Sequence, residues 1–126
     1  MSKESISTKK APSAIGPYSQ GIKIGNLIFT SGQIPLNPET GELEMEIEKA
    51  TVRVMENIKA ILEEAGASLD DIIKTTIFLK DINDFNVVNE IYGQYFKGTL
   101  PARSCVEVSK LPKDVPLEIE VIAEKR

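Results

Sequence analysis

"DDIIKTTIFLKD", residues 70–81, alternates with period two, placing Ile73, Thr75, Ile77 and Leu79 on one face and Ile72, Lys74, Thr76 and Phe78 on the other. Side chains of an extended chain point alternately to either side, so the stretch predicts a strand. Immediately upstream the spacing changes. From Glu46 to Ala65 the apolar residues Ile47, Ala50, Val54, Ile58, Ile61, Leu62 and Ala65 step by three and four, as on one face of a helix, and Gly66 follows as a stop. Downstream, Asn83 or Asp84 is placed to cap a second helix whose Phe85, Val88, Ile91, Tyr92, Tyr95 and Phe96 form another apolar stripe, ended by "KGTLP", residues 97–101. The centre of the chain therefore reads helix, strand, helix.

Moving outward, "GIKIGNLIFTSG", residues 21–32, predicts a hairpin closed by Gly25-Asn26, with Gly first as a type II′ turn prefers. "PLNPETGEL", residues 35–43, is turn chemistry leading into the first helix. After the second helix come two more strand patterns, "RSCVEV" (103–108) and "LEIEVIA" (117–123), separated by "SKLPKDVP". The order β-β-α-β-α-β-β predicts an α+β fold with a mixed sheet and two helices packed on one face. Two helices leave the other face open, and it still carries Ile72, Phe78 and Ile122 among polar residues. A closed homo-oligomer is the expected way to bury it, with pockets at the seams.

Length and composition limit what such a fold can do. The chain has 126 residues, 41% of them hydrophobic, enough for one core, so residues 1–126 are read as a single domain with residues 1–10 a flexible polar arm. No apolar run approaches the roughly 20 residues of a membrane span, and "MSKESISTKK" has no secretion-type apolar stretch, which together predict a cytoplasmic protein with no membrane partner. A single cysteine excludes an internal disulfide or a thiolate cluster. The net charge of −4 lacks the basic footprint of a nucleic-acid surface. Having no histidine, the chain has no imidazole-activated nucleophile and no imidazole metal ligand, so acid-base work falls to carboxylates, Tyr, Lys, the thiol or water. No phosphate-cradling loop, dinucleotide fingerprint or metal-ligand spacing is present, and no cofactor or metal is expected.

Within that frame Arg103 has two readings: a strand-end charge reaching water or pairing with Glu107 or Glu120, or an anchor whose planar fork grips a carboxylate at two points. Glu118 and Glu120 alternate with Leu117, Ile119 and Val121, so both project from the uncovered face. Either is a solvated strand charge or, near Arg103, the holder of a reactive water. Periodicity does not choose between them. Cys105, with no second Cys or His to lower its pKa, reads as a buried structural thiol. "IGPYSQG" (15–21) and "FTSGQIP" (29–35), carrying Tyr18, Ser31 and Gly32, read as loop segments.

Taken together, "IGPYSQG", "FTSGQIPLNP", "IIKTTIFLKDINDF" and especially "PARSCVEVSKLPKDVPLEIEVIA" resemble the reactive-intermediate deaminase family, RidA or YjgF, from about Ala11 to the C-terminus. The resemblance implies chorismate-mutase-like subunits forming a homotrimer with three intersubunit clefts. It also implies hydrolysis of 2-aminoacrylate and 2-aminocrotonate, through their 2-imino tautomers, to 2-oxo acids and ammonia without metal or cofactor. Carried over by position, Arg103 binds the substrate carboxylate and Glu118 positions the attacking water, leaving Glu120 as a supporting charge. Tyr18, Ser31 and Gly32 line the cleft, Cys105 contributes main-chain groups, and Asn89 and Lys74 match less direct positions. The alternative is a non-catalytic protein that binds 2-oxo acids or other small carboxylates to regulate a partner. A ribonuclease reading, attached to some relatives, is the weakest for an acidic chain without histidine.

Overall fold

In the computed structural model the described residues are 2–126; Met1, part of the expected arm, lies outside them. Six strands form one sheet: β1 (Glu4–Ile6), β2 (Gly21–Ile24), β3 (Leu27–Thr30), β4 (Ile72–Leu79), β5 (Ala102–Glu107) and β6 (Leu117–Glu124), in the order β1-β2-β3-β6-β4-β5. Only β4 and β5 run parallel, joined through the helix α2 (Phe85–Gly93); every other pairing is antiparallel. The long helix α1 (Ile47–Glu64) packs on the same side as α2. Between helices and sheet lies the core, in which Ile28, Val54, Ile58, Ile61, Leu62, Ile77, Leu79, Leu117 and Ile119 are fully buried. The α+β reading with a mixed sheet and two helices on one face describes this architecture. Among the described residues no helix is long and apolar enough to cross a membrane, and no group of acidic, Cys or His side chains is placed to hold a metal ion.

Local signals explain most boundaries. Gly25 takes φ 57° at the first position of the two-residue turn between β2 and β3, a left-handed conformation open to glycine at no steric cost. At the end of α1, Gly66 has φ 82°, and its N–H and that of Ala67 return to the carbonyls of Glu63 (3.0 Å) and Leu62 (2.8 Å), satisfying two of the last orphan acceptors.

Four features depart from the sequence expectation. First, a bulge between Ile72 and Lys74 shifts the register against β6, so Ile72 enters the core at 4% exposure while Ile73 faces out at 47%. The strict alternation holds only from Lys74 onward. Second, the expected arm contains β1, which pairs with β2 through Glu4–Lys23, Ser5–Ile22 and Ile6–Gly21 and buries Ile6. Third, neither Asn83 nor Asp84 caps α2 with its side chain. Asp81 does the capping instead, accepting from the Asn83 N–H at 2.9 Å in a 3₁₀ turn (Ile82–Asp84) that leads into the helix. Fourth, α2 ends at Gly93, so Tyr95 and Phe96 reach the core from beyond the helix.

A further buried polar anchor positions the loop after β3. Asn57, fully buried on α1, donates its amide to the carbonyls of Ile34 (3.2 Å) and Leu36 (3.0 Å). Gln33 exchanges both backbone hydrogen bonds with Ile119 (2.8 and 3.1 Å), which lays Ser31 to Gln33 alongside the start of β6.

Candidate active site

The side chains singled out from the sequence fall into two groups. One group lies where β5 meets α2. On α2, Phe85, Asn89 and Tyr92 are spaced by four and three, so they share one face of the helix. Opposite them Arg103 extends from β5, whose register sets it beside the buried Thr75 of β4. The guanidinium carbon is 5.3 Å from the ring centroid of Phe85 and 5.3 Å from that of Tyr92, and Nη1 donates to Oδ1 of Asn89. Below it the hydroxyls of Tyr92 and Thr75 share a buried 2.8 Å hydrogen bond.

This environment bears on both readings of Arg103. Among the described residues it makes no ion pair. Of the two glutamates that could have neutralised it, Glu107 accepts from the Ile82 N–H at 2.9 Å and Glu120 projects from the opposite face of the sheet. A half-buried guanidinium has several donors in a fixed fork, and only one is engaged by Asn89. Asn89 therefore spends its amide oxygen on the arginine. Cys105, two residues along the same face of β5, is half-buried rather than buried as expected, because β5 is an edge strand with nothing beyond it. Burial pushes its thiol pKa up, with Arg103 pulling it partly back, which keeps the group a thiol.

The second group lies on the uncovered face. In the pairing of β4 with β6, Glu118 faces Phe78 and Glu120 faces Thr76. Glu118 is half-buried because its carboxylate lies directly over Gly32: a Cβ on Gly32 would stand 1.9 Å from Oε2 and 2.7 Å from the carboxyl carbon. Only a residue without a side chain leaves that space. Burial raises the Glu118 pKa, and the neighbouring charge of Glu120 raises it further. Ser31 fixes the approach to Gly32 by donating its hydroxyl to the Ser19 carbonyl at 2.6 Å. Tyr18, 52% exposed, stands on that same loop at the rim of a cleft of about 300 Å³ lined also by Ile15, Gly32, Gln33 and Lys113. Lys74 belongs to this face too, donating to Ser104 Oγ at 3.0 Å.

Within one chain these two groups do not meet. Arg103 and Thr75 point to the helix side, Glu118 and Phe78 to the uncovered side, and Arg103 does not line the Tyr18 cleft. The expectation of a carboxylate beside Arg103 is therefore not met within the chain. A separate groove of about 350 Å³, lined by Glu44, Glu48, Lys49, Val52, Arg53 and Ile91, contains none of the expected residues.

Three residues that the sequence reading passed over shape these half-sites. Phe85 and Tyr92 entered it only as apolar stripe, yet their ring faces flank the cation. Gln20, buried, holds the segment before the Tyr18 loop by accepting from the Thr8 N–H (2.7 Å) and donating to the carbonyls of Thr8, Ala11 and Pro12. A polar residue two places from a loop tyrosine carries no period that would announce this.

Comparison with known proteins adds three findings. The model of the family described as Endoribonuclease L-PSP matches residues 8–125. A RutC family protein of Pyrococcus abyssi is 62% identical over 126 residues, 99% of each chain, and the 2-iminobutanoate/2-iminopropanoate deaminase of Escherichia coli is 54% identical over 98% of each. The crystal structure of E. coli TdcF with bound serine superposes with a TM-score of 0.94 at 50% identity, covering 98% of this chain and 99% of that one.

Proposed function

The chain belongs to the Endoribonuclease L-PSP family, the YjgF/RidA proteins, and from that premise we propose that it hydrolyses 2-imino and 2-enamino acids to 2-oxo acids and ammonia. The observation that carries this reading is Arg103: a half-buried cation without an acidic partner among the described residues, its fork oriented by Asn89 and two rings. Such a fork grips a small carboxylate at two points. The naming of relatives as 2-iminobutanoate/2-iminopropanoate deaminases, and of a structural neighbour as holding serine, supports a substrate of this size and charge.

The reaction needs two groups that one chain presents on opposite faces, so the proposed active unit is an oligomer in which Arg103 of one copy faces Glu118 of another. The trimer of the family resemblance fits this requirement. Phe29, Ile73 and Val106, each more than a third exposed, supply apolar surface for such contacts on the uncovered face. The substrate carboxylate rests on Arg103. A water held by Glu118 attacks C2 of the C=N bond, the nitrogen takes a proton, and the carbinolamine collapses: the C–N bond breaks, ammonia leaves, and the hydroxyl oxygen becomes the carbonyl of the 2-oxo acid. One water is consumed per ammonia released. Burial of Glu118 raises its proton affinity toward the working range of a general base, a contribution worth on the order of 10²- to 10⁴-fold. The arginine contributes binding, holding the substrate by its carboxylate.

Continuous release of 2-oxo acid from 2-aminoacrylate, generated in situ by a dehydratase, tests the reading. Acceleration by the native chain that Arg103→Ala abolishes supports it. No acceleration, with a partner enzyme's activity changed instead, would identify the regulatory carboxylate binder. Cleavage of RNA would favour the family description, but a chain with net charge −4 and no histidine lacks the net positive charge and the imidazoles such a reaction ordinarily uses.

A further inference from the structure

An arginine on an edge strand ordinarily samples many rotamers and carries its charge into water. Arg103 does not. Three consecutive contacts from one face of α2, at residues 85, 89 and 92, surround its guanidinium: ring, amide oxygen, ring. The aromatic face is the negative part of the ring quadrupole, so all three contacts attract a cation, and none competes as a full negative charge for the fork. Tyr92 is itself prevented from turning. Its hydroxyl is tied to Thr75, its ring lies 4.9 Å from that of Phe96, and the side chain is 4% exposed.

We propose that Phe85 and Tyr92 are positioning residues for Arg103, a two-ring cradle that fixes the plane of the guanidinium before the carboxylate arrives. The proposal rests on the function proposed above and adds to it the source of the anchor's preorganisation. It also explains why a carboxylate ligand in the sequence neighbourhood would be counterproductive: an acid in the cradle would orient the arginine equally well and occupy it. Any apolar residue would serve if the two positions only filled the core. Leucine at either position therefore separates the two roles, since it keeps apolar volume and removes the ring face.

Phe85→Leu and Tyr92→Leu should each raise KM for the imino acid by about 3- to 30-fold with kcat little changed, because a loosened anchor weakens carboxylate binding without touching the reacting carbon. Tyr92→Phe keeps the ring and should restore KM to near the native value. Dissociation constants for 2-oxobutanoate, followed by NMR titration, should weaken in the same order and do not depend on turnover. Leucine variants with native KM and native Kd would overturn the proposal, as would a Tyr92→Phe variant as impaired as Tyr92→Leu. Should Tyr92→Leu fail to fold, Phe85→Leu, at a position only half-buried, decides alone. Absence of turnover in the native protein, with Kd still dependent on the two rings, would refute the proposed reaction and leave the cradle standing; absence of any 2-oxobutanoate binding would overturn both.

Discussion

Gly32→Ala is the smallest change that tests whether Glu118 does chemistry. The added Cβ would lie 1.9 Å from Glu118 Oε2, so the oxygen must retreat by about 1.5 Å to reach ordinary contact near 3.4 Å. The three nearest atoms all belong to the Glu118 side chain, and Gly32 does not have a positive φ, so the backbone accepts alanine and the carboxylate gives way. A displacement of about 1 Å in a reacting group costs on the order of 10²-fold in rate. The expected result is therefore a fall of about that size in kcat for 2-aminoacrylate hydrolysis, with KM nearly unchanged because the displaced group is Glu118 and the carboxylate-binding fork of Arg103 is left in place. Thermal unfolding should show a folded protein of similar melting temperature. Adding Gly32→Ala to Glu118→Ala should cost nothing more, since the group being displaced is already gone. A Gly32→Ala enzyme with native kcat, or one whose loss adds fully to that of Glu118→Ala, would refute the assignment of Glu118 as the holder of the water.

The remaining expectations are independent of one another. Arg103→Lys keeps the charge and loses the fork; the lost charge-assisted hydrogen bond is worth about 1.5–3 kcal/mol, so KM for the imino acid should rise about 10- to 150-fold, read from steady-state kinetics. Since the Glu118 pKa is raised by burial and by Glu120, the folded chain holds more protons than the unfolded one just above the ordinary carboxylate range. Stability should thus fall as pH rises through that window, and Glu118→Gln should flatten the fall; parallel melting profiles against pH for the two proteins would contradict it. Ile58→Ala, at a fully buried position between α1 and the sheet, should cost about 2–5 kcal/mol in chemical denaturation.

Arg103 and Asn89 were both singled out from the sequence, but nothing in it indicated that they touch each other, because they stand 14 positions apart on different elements, α2 and β5. Phe85 and Tyr92 were legible as a stripe and illegible as a cradle for the same reason: a ring on an apolar face looks identical whether its neighbour is a leucine or a guanidinium. Gly32 read as a loop glycine. Its necessity comes from Glu118, which arrives from a strand that begins 85 residues later.

What the residues determined by themselves was everything governed by neighbours within a turn or two of chain: the helix at Ile47–Glu64, the strand at Ile72–Leu79, the Gly25-Asn26 turn and the α+β order. These follow from period and from local backbone conformation, which need no distant partner. Tertiary pairing decided the rest. The bulge that turns Ile72 inward, the strand Glu4–Ile6 in the polar arm, and the parity that sends Arg103 and Glu118 to opposite faces each depend on register against a strand remote in sequence. A shift of one residue in such a register reverses which face a side chain occupies, and where apolar alternation is weak, as in β5 and at the bulge, the strand's own pattern does not fix it.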